Sequence, residues 1–66
     1  MSVLKVIELM ADSDKNWEDA TVIAVKKAGV TVKNIRSAFV KSQSVTVKNG
    51  KIDKYRVTVK VSFEVE

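Results

Sequence analysis

The stretch that decides the fold is "YRVTVKVSFEVE", Tyr55 to Glu66. Tyr55, Val57, Val59, Val61, Phe63 and Val65 are apolar, and Arg56, Thr58, Lys60, Ser62, Glu64 and Glu66 between them are polar or charged. Strict alternation sends the two sets to opposite faces of one long β-strand. Just before it, "KNGK" (Lys48 to Lys51) carries Asn49-Gly50. That dipeptide suits a type I′ hairpin, whose two central residues both take positive φ. Upstream again, "NIRSAFVKSQSVTV" (Asn34 to Val47) is rich in β-branched and small residues and predicts the partner strand.

A two-residue loop at Asn49-Gly50 fixes a register. Val59 then faces Val40, Val61 faces Ala38, Val57 faces Ser42 and Tyr55 faces Ser44. Small side chains thus lie beside large ones, leaving room for a helix across that face. The other face carries Ser37, Phe39, Lys41, Gln43, Val45 and Val47 opposite Ser62, Lys60, Thr58, Arg56, Lys54 and Ile52. A bulge would shift part of this register.

The N-terminal half supplies the remaining elements. "VLKVIELM" (Val3 to Met10) reads as a first strand. "ADSDKNWEDA" follows, with Asn16 as N-cap and Glu18 and Asp19 in the first helical turn, where carboxylates favour the helix dipole. From Trp17, Ala20, Ala24 and Ala28 recur at helical spacing, with Lys26 and Lys27 near the C-terminal end. Gly29 is a possible stop, but Val32 keeps the period, so the end falls between Ala28 and Lys33. The expected architecture is α+β, one domain over residues 1–66. A three-stranded antiparallel sheet, in strand order 1-3-2, packs on a single helix.

Lengths show what this arrangement lacks. A twelve-residue strand spans roughly 40 Å, whereas a helix of about 13 to 15 residues spans roughly 20 to 22 Å. One helix therefore covers about half of the apolar face. Other subunits are expected to cover the rest, through an interface that includes Trp17, Phe39, Val45, Val47, Phe63 and Val65. Exposed apolar residues in such number mark a contact surface.

Composition narrows the chemistry. The 66 residues are 45% hydrophobic and 30% charged, with no cysteine, histidine or proline. The usual ligands for zinc, iron and copper are therefore absent, as are disulfides. Oligomerisation is the remaining device for stabilising so small a chain. No run is apolar enough to span a bilayer, because Lys5, Glu8 and Asp12 interrupt the N-terminal one. A soluble, cytoplasmic protein without membrane association is the default expectation. The net charge of +4 could suit an anionic partner, but only Lys26 and Lys27 among the lysines are adjacent and arginine forms no run. A solvated lysine surface is the simpler reading, and nucleic acid or an acidic partner remains an alternative that is not expected.

Nothing suggests catalysis. With no His or Cys, serine activation would need a lysine or carboxylate base, and Ser13, Ser42 and Ser44 sit in no elbow motif. Asp12, Asp14, Glu18 and Asp19 cluster around the turn into the helix. Capping and solubility explain them, while a hard-cation site is the sharper reading, since calcium takes loop carboxylates. Their spacing matches no EF-hand. Arg56 shares the polar sheet face with Ser37 and becomes a ligand contact if that face turns inward. Arg36 points the other way or sits at the strand's edge.

The layout and the pattern "KVIEL…S…W…A" followed by "Y-x-V-x-V-x-V-x-F" resemble the dodecins over nearly the whole chain. The resemblance implies a protomer that assembles as four trimers into a hollow homododecamer, with helices outside and the other sheet face inward. Flavin-binding dodecins stack isoalloxazine rings on a tryptophan of strand two and bond the ring edge with a glutamine of strand three. Aligned on "NIRSAFV" and "KYRVTV", those positions are Ser37 and Arg56. Serine offers no stacking surface, which forfeits about 0.5–1.5 kcal/mol per ring contact beyond area burial. The flavin cofactor is therefore not expected. The resemblance is nearer to the branch associated with calcium, and Trp17-Glu18 is a further likeness. The expected function is binding, storage or buffering of a small ligand or cation at subunit interfaces. Flavin storage is the alternative.

Overall fold

The computed structural model describes residues 3–65, so the terminal Glu66 of the opening stretch lies outside the described residues. The elements are β1 (Val3–Ser13), α1 (Trp17–Thr31), β2 (Ile35–Lys48) and β3 (Lys51–Val65). They form one antiparallel sheet in the order β1-β3-β2, with β3 central as its regular alternation requires. β1 runs three residues beyond the expected Met10 end, and this moves Asp12 from the connecting loop onto the strand.

Asn16 starts the helix as expected. Its backbone is extended, and its side-chain oxygen accepts the Asp19 N–H at 2.7 Å. The helix continues to Thr31, so its last turn holds no basic residue and Lys26 and Lys27 lie further back. Ala20, Ala24 and Ala28 are its buried stripe, spaced four apart. Methyl-sized side chains bring the helix close to the sheet, over Val57, Val59 and Val61, each fully buried. Ile7, Leu9, Ala11, Trp17, Ile35 and Val40 pack around this core.

The hairpin turn is the expected one: Asn49 and Gly50 have φ of 54° and 74°. The register holds at both ends of the hairpin but not between. Val40 faces Val59 and Ala38 faces Val61 as expected, yet Gln43 rather than Ser42 faces Val57, and Val45 rather than Ser44 faces Tyr55. An extra residue at Asp53 on β3 slips the pairing by one, and an extra residue at Lys41 on β2 restores it. Because side chains alternate faces, the slip moves Gln43 and Val45 to the helix side, away from Phe39. Ser42, Ser44 and Thr46 take their places opposite Thr58, Arg56 and Lys54. A further irregularity at Arg36 aims that side chain at Glu64 of the open face instead of away from it.

The expected shortage of cover is present. The molecule measures 50 × 19 × 14 Å, a long plate with the helix over its middle. Phe39, Val47 and Val65 are 64%, 66% and 40% exposed, while Trp17, Val45 and Phe63 are half-buried. Leu4, Val6 and Met10 of β1 are also largely exposed.

Candidate functional site

On the face away from the helix, β1, β3 and β2 contribute alternate residues to a field of paired charges. The β1–β3 ladder sets Glu8 opposite Lys60, Met10 opposite Thr58 and Asp12 opposite Arg56. Arg56 Nε donates to Asp12 Oδ1 at 2.7 Å and its NH2 nitrogen to Oδ2 at 3.1 Å, a two-point fork. Lys54 Nζ lies 3.1 Å from Asp14 Oδ1, Lys41 Nζ 3.4 Å from Glu8 Oε1, and Arg36 Nε 2.9 Å from Glu64 Oε1. The Arg56 hydrogen bond holds the Asp12 carboxyl below its ordinary pKa, and Asp12 in turn raises that of Arg56. Asp14 raises Lys54 in the same way. All these groups are solvated, so each exposed pair contributes little alone.

An open hollow of about 370 Å³ lies beside the fork, lined by Met10, Ala11, Asp12 and Arg56. Ser37, the other residue singled out with Arg56, is further along the same face, and its hydroxyl is hydrogen-bonded to that of Ser62. The structure therefore puts Ser37 and Arg56 on one face, each already engaged by a neighbour. Sequence reasoning missed the Asp12–Arg56 fork because it ended the first strand at Met10. The signal was present: Ile7, Leu9, Ala11 and Ser13 continue the inward alternation, which leaves Asp12 on the outward side with Glu8 and Met10.

The four carboxylates considered for a cation do not converge. Asp12 is held by Arg56 and Asp14 by Lys54, while Asp19 Oδ2 accepts the Ser13 hydroxyl at 2.6 Å. Glu18, on the exposed first turn of α1, has no hydrogen-bond or ion-pair partner among the described residues. No three carboxylates among the described residues are placed to hold a metal ion. One copy of the chain does not by itself offer the six or more oxygens that calcium takes. Trp17 is placed differently from a ligand platform. Its indole N–H donates to the Ser44 carbonyl at 2.9 Å, and its ring meets Tyr55 edge-on at 5.2 Å.

A strand-helix-hairpin chain with an incompletely covered sheet and a polar, hollowed face away from the helix defines a class of small binding proteins. Comparison with known proteins makes the class specific. The profile of the Dodecin family matches residues 3–66, and the chain belongs to that family. It is 43% identical over 65 residues to the calcium dodecin of Mycobacterium tuberculosis, covering 97% of this chain and 90% of that one. The crystal structure of that calcium-chelating antigen, which has a novel calcium-binding site, superposes with a TM-score of 0.85 at 41% identity, over 98% and 93% of the two chains. A variant of Thermus thermophilus dodecin is similar at a TM-score of 0.93 and 27% identity, over 100% of this chain and 98% of that one. Among the described residues no helix is long and apolar enough to cross a membrane.

Proposed function

We propose that this chain is the protomer of a hollow homo-oligomer, a dodecamer of four trimers. It binds or buffers a small ligand on its inner face and a divalent cation, calcium first, where copies meet. It performs no catalysis. The observation that carries this reading is the whole-length kinship to a calcium dodecin. The geometry supports it in two ways. Phe39, Val47 and Val65 are exposed in one copy, Phe39 on the face away from the helix, and need cover that one helix does not give. The carboxylates of the β1–α1 turn are too few in one copy, so a cation site would draw on neighbours, with Glu18 the free donor.

Flavin stacking is no part of this reading. The family resemblance aligns Ser37 with the stacking position and Arg56 with the ring-edge position; Ser37 bonds Ser62 and Arg56 bonds Asp12.

Native mass spectrometry and thermal unfolding with calcium or a chelator test the proposal together. We expect a species of twelve 7.3 kDa chains. At a hundredfold excess of calcium over Kd, one site per chain adds about 2.7 kcal/mol to stability. A monomer at micromolar concentration overturns the assembly, and an identical midpoint in calcium and chelator overturns the cation. Riboflavin emission unchanged by the protein is the expected third result.

A further inference from the structure

On the open face Arg36, Lys41, Lys54 and Arg56 are each matched to an acid, and Arg56 is the one of these bases that lines a hollow. Both partners of its fork remain partly exposed, 38% for the Arg56 side chain and 33% for Asp12, so a solute in the hollow meets both. Resting on the small-ligand part of the reading above, we propose that Asp12 sets the ligand class of this hollow. It converts an arginine site that would attract phosphates and carboxylates into one that takes uncharged or zwitterionic molecules.

The argument begins with what the site would be without Asp12. The chain carries a net charge of +4, and Arg56 presents a planar fork whose geometry suits phosphate and carboxylate. Lys54 follows two residues along on the same face. Such a hollow, with one cation in its lining and a second two residues along the strand, is an anion site by default. Asp12 removes that character in two ways. It occupies the Nε edge of the guanidinium at 2.7 and 3.1 Å, so an anion must displace it to gain the same bonds. Displacement exchanges one fork for another and leaves a carboxylate unpaired beside the incoming charge, a like-charge contact that disfavours binding. Lys54 gives no relief, because Asp14 matches it at 3.1 Å. The carboxyl of Asp12 is held below its ordinary pKa, so the negative charge is present throughout the neutral range. An uncharged solute resting on Met10 meets neither penalty, and a zwitterion can align with the Asp12–Arg56 dipole.

The test uses the full chain and two substitutions, Asp12→Asn and Asp12→Ala, with inorganic pyrophosphate as the anion. Calorimetry gives the affinity, and the Arg56 Nε–H resonance reports whether the guanidinium is the group engaged. Both variants are expected to bind pyrophosphate about tenfold more tightly than the wild type, the size of one gained charge-assisted pairing. The Arg56 resonance shifts saturably in the variants and stays in place in the wild type. Asp14→Asn, which frees only Lys54, is expected to gain less. The proposal is overturned if wild type binds as tightly as the Asp12 variants, or if Asp14→Asn gains as much. It is also overturned if binding leaves the Arg56 resonance unmoved. Asp12→Asn keeps the shape of the side chain, so the test survives if Asp12→Ala fails to fold. Native mass spectrometry of the same samples reads assembly separately, which distinguishes loss of the oligomer from loss of this selectivity.

Discussion

Trp17 ties the start of the helix to the edge strand with a single hydrogen bond, from its indole N–H to the Ser44 carbonyl. Replacing Trp17 by Phe keeps a ring against Tyr55 but leaves that carbonyl to water. The expected cost is about 1 kcal/mol in chemical denaturation, the net value of one such bond. A second consequence at this scale concerns acid. The folded pKa of Asp12 lies below its unfolded value, so the fork contributes to stability above that range and its contribution is lost as pH falls through it. The thermal midpoint is therefore expected to drop from about pH 4 downward, and less steeply in Asp12→Asn. A wild type and variant with superimposable acid limbs would assign the loss to other carboxylates. The sequence announced Arg56 as a residue to watch but hid its partner. Forty-four positions separate the two, and only the β1–β3 register brings them together.

At the scale of the element, the hairpin is the part most legible in advance. Asn49-Gly50 predicted its turn, and both residues have the positive φ that a type I′ turn needs. Nothing crowds a Cβ at Gly50, so Gly50→Ala isolates the backbone penalty. We expect a loss of about 1 kcal/mol, measured as a lower denaturation midpoint with an unchanged slope. The helix was equally plain, because Asn16 caps it and its alanines recur every fourth residue. What the sequence concealed is the pair of extra residues at Asp53 and Lys41. A bulge is a backbone detour, and a polar residue among strand residues does not announce one, so counting from the turn misplaced Gln43 and Val45 by one. The two insertions cancel, and Ser37, Ala38 and Phe39 returned to the positions that simple counting gave them. Deleting Asp53 alone brings the Val47–Ile52 and Thr46–Lys54 pairs into direct succession and changes no facing, so cooperative unfolding is expected to be retained. Deleting Lys41 and Asp53 together leaves both ends in phase and retains measurable cooperative unfolding.

For the whole molecule, the shortage of cover followed from two lengths, a helix of about 13 to 15 residues against a twelve-residue alternating stretch, and the structure gives 15 residues to each. That reasoning needed no contact map, since a strand rises roughly twice as far per residue as a helix. The hollow beside Arg56 was beyond such reasoning, because hollows and forks depend on which strands sit side by side. The 14 Å thickness carries one more implication. A plate that thin is all skin, more like a stave than a cask. In most proteins tolerance to substitution rises with exposure; here that rule should invert. A scan of all single substitutions, read by formation of the proposed twelve-chain assembly, is expected to reject polar residues at Phe39 and Val47. It should accept them at Val30, the most exposed bulky position of the helix, although all three look equally free in one copy.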